Sequence, residues 1–180
     1  LKCGPSTSPD DLMKLVDILN PKNEAGRLTL ITRMGTDLVE AKLPTLIKNQ
    51  IVDFATCDLN EGVNSSDLII ICLPVRLIPQ YIINISRYCK SKAIVTDVGS
   101  TKKWILETLL KEELKNIVYI GSHPIAGSEK QGIEFVDANI FLNKVCIVNE
   151  VPAKLKKYQT ELKHFWAALG MNVFLMDPIL

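Results

Sequence analysis

From residue 67 onward, the apolar positions of the chain follow two alternating periods. Asp67 to Pro74 (DLIIICLP) is apolar at successive positions, as in a strand covered on both faces by helices, and this predicts a central strand. A helix is predicted through Leu77 to Cys89, and Ala93 to Asp97 (AIVTD) is the next strand. Lys102 to Leu114 puts Ile105, Leu109 and Leu110 on one helical stripe. Ile117 to Ile120 and Lys144 to Val148 read as strands. Ala153 to Leu169 reads as a long amphipathic helix with Gly170 as its stop, and Asn172 to Met176 closes the series as a strand. Short β-branched runs alternating with helical periods build βα units, so the class is α/β with a mostly parallel sheet and helices on both faces.

The first fifty residues repeat the pattern as βαβα. Pro9 fits the first turn of a helix capped by Ser8 that continues through Asp11 to Leu19 and ends at Asn20-Pro21. Arg27 to Thr32 (RLTLIT) is a strand, and Asp37 to Lys48 a helix that Pro44 kinks or restarts. No repeat or Gly/Ser linker separates this front from the rest of the chain.

Composition narrows the function. The 180 residues are 47% apolar and 23% charged, enough for one buried core. With 21 Lys+Arg against 20 Asp+Glu there is no basic excess for a nucleic-acid backbone, so no nucleic-acid partner is expected. The longest apolar stretch, Leu68 to Val75, falls well short of the roughly 18 residues of a bilayer crossing. With no leader pattern in view, a cytoplasmic, unanchored protein is expected. Cys3, Cys57, Cys72, Cys89 and Cys146 form no CxxC pair and only His123 and His164 could assist them, so no metal site is expected. Cys72 and Cys146 read as inert buried thiols.

Three loops carry candidate chemistry. Gly121 to Lys130 (GSHPIAGSEK) follows the strand Ile117 to Ile120, and polar glycine-punctuated loops at the carboxyl end of parallel strands are where open α/β sheets bind ligands. His123 is suited to accept a substrate proton near neutral pH, or else to hold a turn together. Ser128, Glu129 and Lys130 nearby favour function, whereas His164 reads as structural or solvent-facing. Asp97 to Lys102 (DVGSTK) leaves the same sheet edge. Gly99 lets a backbone approach closely, and Ser100 or Thr101 either caps the next helix or faces the crevice of His123. Leu73-Pro74-Val75 offers a rigid apolar wall for a flat cofactor ring.

DLIIICLPV, IVTDVGSTK, GSHPIAGSEKQGIEF, NKVCIVNE and FWAALGMNVFLMDP, in this order and spacing, resemble prephenate/arogenate dehydrogenase over about residues 49 to 178. The resemblance implies a Rossmann-like domain and tyrosine biosynthesis by oxidative decarboxylation of prephenate or arogenate with NAD or NADP. By the same resemblance His123 would accept the hydroxyl proton and Ser100 would orient the histidine and nicotinamide. Ser122, Ser128 and Glu129 would shape the substrate pocket, and Pro74, Val75, Gly99 and Thr101 would flank the cofactor. A homodimer is implied for full-length members, and a plastid stroma is the alternative location if the source is plant-type.

Two departures qualify that expectation. No GxGxxG turn occurs in the 180 residues, so the Rossmann-like sheet is read as incomplete. Both ends read as cuts, the family's helical second domain after MDP is not included, and little or no turnover is expected. The front, with KCGPS, the helix SPDDLMKLVDILNP and GRLTLITRMG, instead resembles class II 3-deoxy-heptulosonate 7-phosphate synthases, which are (β/α) barrels, over about residues 1 to 48. Lys2 and Arg33 would then inherit phosphoenolpyruvate-binding roles, although Arg33 also fits a reader of an NADP ribose phosphate. The chain is therefore expected to join two units, 1–48 and 49–180, near residues 44 to 51. A phosphoenolpyruvate-using synthase fragment and a non-catalytic α/β binding remnant remain the alternative functions.

Overall fold

The computed structural model describes residues 29–31, 56, 58–126 and 140–178. The helices expected over 9–19 and 37–48 lie outside these residues, as do Lys2, Arg33, Ser128 and Glu129. In chain order the elements are β1 (Thr29–Ile31), α1 (Leu59–Val63), β2 (Leu68–Ile71), α2 (Ile78–Ile85), β3 (Ala93–Asp97) and α3 (Lys103–Leu109). They are followed by β4 (Ile117–Tyr119), β5 (Ser122–Ile125), β6 (Val145–Asn149), α4 (Lys156–Ala168) and β7 (Asn172–Met176).

Strands β1 to β4 form one parallel sheet in the order β1-β2-β3-β4. The uninterrupted apolar run of β2 is thereby explained, because a strand paired on both edges and covered on both faces has no solvent side. β1 pairs with β2 in the register Ile31↔Ile71, so the front of the chain is part of the sheet. Strands β5 to β7 form a second sheet, in which β6 runs antiparallel to β5 and parallel to β7.

Alternation on the parallel sheet feeds two cores. Ile69, Ile71, Ala93 and Val95 face Val63 of α1, Ile78, Ile82 and Ile85 of α2, and Ile105 and Leu109 of α3. On the opposite side Val118 and Ile120 join Phe141, Cys146, Val148, Leu162, Trp166, Leu169 and Met171, with α4 supplying the helical cover. Each fully buried large aliphatic side chain contributes roughly 1.5–3 kcal/mol of transfer free energy. Helices on both faces of a mostly parallel sheet are therefore observed as expected.

The helices are shorter than the periodicity predicts. Val75–Leu77 is a 3₁₀ turn and α2 ends at Ile85, where the Ser86 hydroxyl donates back to the Ile83 carbonyl (2.8 Å). α3 ends at Leu109, and Leu110 is 81% exposed rather than part of the buried stripe. Gly170 ends the last helix as expected, with φ at +83°, a left-handed conformation that side chains disfavour. No helix among the described residues is long and apolar enough to cross a membrane.

Candidate functional site

The stretch expected to be a loop after β4 is partly strand. Residues 117–125 run on as extended chain but change neighbour. Ile120 still donates to the Val95 carbonyl of β3 (3.0 Å), whereas the next carbonyl, of Gly121, accepts from Asn149 of β6 (2.9 Å). Gly121 makes the switch possible, because a β-carbon there would lie 2.7 Å from Asn149 Nδ2 and 3.0 Å from both Lys102 Cδ and Tyr119 Oη. His123 consequently sits on β5, paired opposite Ile147. Pro124 is tolerated because, among the described residues, β5 is an edge strand, where a missing N–H costs no ladder bond.

His123 lies against the Gly99 loop. Its Nδ1 is 3.2 Å from the Gly99 carbonyl oxygen, which can only accept, so in the neutral ring the proton sits on Nδ1 rather than on Nε2. The histidine and the Gly99-Ser100 turn thus share one edge of the sheet, and Ser100 is exposed there. Neither Ser100 nor Thr101 caps α3, whose N-cap is Lys102 with no side-chain capping bond. At the same edge Pro74 and Val75 follow β2 half-buried. Val75, Arg76, Thr101 and Trp104 line a cleft of about 450 Å³.

Ser122 requires a correction. It was expected at the substrate, but its side chain is fully buried, with Oγ 2.7 Å from Thr96 Oγ1 and accepting the Trp166 indole N–H at 3.0 Å. The hydroxyl is committed to a link between β3, β5 and α4, and it braces the residue next to His123 from behind.

On the opposite face of β3, the Asp97 carboxylate is fully buried and accepts three hydrogen bonds. These come from Lys102 Nζ (2.5 Å) and the Gly99 N–H (2.8 Å) at Oδ2, and from the Tyr119 hydroxyl (2.6 Å) at Oδ1. Burial pulls the Lys102 ammonium below its usual range, and the Asp97 charge opposes that. The Tyr119 hydroxyl is pushed well up, first by burial and then by the Asp97 charge. Cys146 is pushed up to about 12 by burial, partly offset by Lys102 and by the His123 backbone, and Cys89 to about 11 by burial. These two thiols are buried and inert, as is expected of cysteines in apolar surroundings.

Thr96, Asp97, Tyr119 and Trp166 escaped the sequence reading. A signal existed for Asp97, since a carboxylate closing an otherwise apolar strand, five residues before a lysine, calls for a buried partner.

The model of the family described as "Prephenate dehydrogenase, nucleotide-binding domain" matches residues 24–175. The chain belongs to this family. Cyclohexadienyl dehydrogenase of Zymomonas mobilis is 29% identical over 128 residues, which are 69% of this chain and 42% of that protein. The crystal structure of Synechocystis arogenate dehydrogenase superposes with a TM-score of 0.73 at 26% identity, covering 93% of this chain and 56% of that one. A shorter likeness links the chain to phospho-2-dehydro-3-deoxyheptonate aldolase of Streptomyces coelicolor, 41% identical over 56 residues, or 31% of this chain and 12% of the aldolase. The chain spans less than half the length of the curated dehydrogenase it matches and about half that of the solved one. The family match runs across residue 48, where the front was expected to end as a separate unit.

Proposed function

We propose that the chain is the nucleotide-binding half of a dehydrogenase acting on prephenate or arogenate in tyrosine biosynthesis. The observation that carries this reading is the contact between His123 Nδ1 and the Gly99 carbonyl, which leaves Nε2 as a base at the carboxyl edge of a parallel sheet. NAD or NADP, when bound, supplies the hydride acceptor. The residues at that edge suit the nicotinamide half of such a cofactor: Pro74 and Val75 give an apolar wall, Gly99 brings no side chain, and the exposed Ser100 and Thr101 bring hydroxyls. For the pyrophosphate half there is no GxGxxG turn within the 180 residues, so affinity below that of a complete site is expected.

In this reading His123 Nε2 takes the proton of the ring hydroxyl as the hydride leaves the carbon bearing it. The ring carboxylate departs as carbon dioxide, its bonding pair completing the aromatic ring. Ser100 orients the imidazole and the nicotinamide, while Ser128 and Glu129 shape the substrate pocket. Residues 1–48 keep their synthase-like ancestry, with Lys2 and Arg33 as relics of it. In this reading the division near residue 49 marks ancestry, and β1 of the front pairs with β2. A cytoplasmic homodimer accords with this reading.

Calorimetric titration with NAD and NADP tests it, and saturable binding of at least one is expected. Whatever turnover of prephenate or arogenate the chain sustains should fall by about 10²–10⁴-fold in His123→Ala, with cofactor binding retained. Absence of binding of either cofactor overturns the reading.

A further inference from the structure

We infer that Asp97 is the positioning residue for His123: it fixes the Gly99 backbone, and the Gly99 carbonyl in turn fixes which ring nitrogen of His123 carries the proton. The inference rests on His123 being the base of the proposed reaction.

A neutral imidazole can carry its proton on either nitrogen, and the choice is set by what the other groups accept or donate. Here Nδ1 meets a carbonyl oxygen, which favours the form with the proton on Nδ1 and a base at Nε2 as long as that carbonyl stays where it is. The segment that holds the carbonyl is short, and ahead of it the Val98 N–H donates to the Ile71 carbonyl (3.3 Å). Val98 and Gly99 lie past the end of β3, and Ser100 is exposed. The bond that pins Gly99 from within is its own N–H donated to Asp97 Oδ2, two residues back, an Asx-type turn.

The environment of Asp97 is built to keep that carboxylate still. With Gly99 and Lys102 on Oδ2 and Tyr119 on Oδ1, three donors from three directions leave it no alternative rotamer that satisfies them all. Gly99 is packed from below as well: a β-carbon on it would stand 2.9 Å from Asp97 Oδ2, 3.1 Å from Ile78 Cδ1 and 3.2 Å from Val75 Cγ2. A buried ion pair is a weak device for stability, since apolar residues of the same volume often serve as well or better. Its worth here is geometric: Lys102 neutralises the carboxylate so that it can sit, fully desolvated, under the turn that orients the histidine.

The chain has two histidines, so nitrogen-detected NMR of the ¹⁵N-histidine-labelled protein reads His123 directly, with His164 on α4 as the internal control. In the wild type Nδ1 of neutral His123 should be the protonated nitrogen. The double variant Asp97→Ala/Lys102→Met removes the clamp without leaving a lone buried charge. It should lose that preference, the share of the Nε2–H form rising, with His164 unmoved. Gly99→Ala attacks the same clamp from the loop side and should do the same. Asp97→Asn keeps an acceptor for the Gly99 N–H and should retain the Nδ1–H form, as should Tyr119→Phe. A folded double variant or a folded Gly99→Ala protein in which His123 still holds its proton on Nδ1 overturns the inference, and so does loss of the preference in folded Asp97→Asn. None of these spectra requires a nucleotide. Failure of the clamp and failure of the dehydrogenase reading, which calorimetry tests, are therefore separate results.

Discussion

The four-stranded parallel sheet and the three-stranded mixed sheet are filled with different material. Against α1, α2 and α3 the parallel sheet buries Ile69, Ile71, Ile78, Ile82, Ile85, Val95 and Ile105, all aliphatic, with the polar Ser66, Ser86 and Asp97 buried where its strands and helices end. The mixed sheet and α4 bury Trp166, Phe141 and Cys146 together with the polar Ser122, Asn149 and Gln159. Gln159 Nε2 donates to the Asn149 carbonyl (2.7 Å) and Trp166 to Ser122 (3.0 Å), while Asn149 Nδ2 is a buried donor with no partner among the described residues. An aliphatic core is set by volume and tolerates rearrangement, whereas a hydrogen-bonded interior specifies one geometry. The last two residues of β3 join the two regimes. Thr96 reaches into the mixed side through Ser122, Asp97 supports Gly99 on the other, and His123 is reached from both.

The comparison is broken most severely at Trp166. Trp166→Ala should cost about 3–5 kcal/mol, measured as a loss of unfolding free energy in urea, and should also shift the His123 resonances because Ser122 loses its indole donor. Ile82→Ala in the aliphatic core is expected to cost about 2–5 kcal/mol but to leave His123 where it is. If the two variants disturb His123 alike, the mixed sheet has no special link to the site. The junction between the sheets is the next test. Gly121→Ala forces a methyl against Asn149, Lys102 and Tyr119 at once, and such overpacking should cost about 1–3 kcal/mol. An unchanged urea midpoint would mean that the neighbour switch at residue 121 does not need glycine.

The same contrast decides how much of the structure is legible in the chain. β3 and β7 match their sequence patterns to the residue, because β-branched and aromatic runs bounded by polar turns leave little choice of ends. The aliphatic core is equally plain, since Ile78, Ile82 and Ile85 repeat at helical spacing. β5 is not legible: Gly121 and Pro124 are loop markers in sequence, and only the pairing with β6 turns them into a glycine junction and an edge-strand proline. His123 stands out because a histidine after a parallel strand is chemically conspicuous. Its supports do not, because Thr96, Ser122 and Trp166 are separated by 26 and 44 residues and meet only in the folded interior. Ser122 is misassigned for the same reason: a serine beside a histidine reads as a second polar contact until the strand's alternation turns it inward.

The smallest effect should come from the thiol on the mixed-sheet side. Cys146 is pushed up to about 12 from the ordinary value of 9.0, mainly by burial. An unfolded thiol ionises once the pH passes 9.0 while the buried one keeps its proton. The unfolded state therefore holds fewer protons, and stability that is fully present below that point is lost as the pH climbs toward the folded value. From about pH 8 to about pH 10 the contribution is on the order of 1 kcal/mol for one thiol. Urea unfolding of wild type and Cys146→Ala at the two pH values isolates it, because whatever the small cavity costs cancels between them. The wild type should lose more stability than the variant over that interval. Parallel losses would mean that water reaches Cys146 and that the mixed-sheet core is looser than its packing of Trp166 and Phe141 implies.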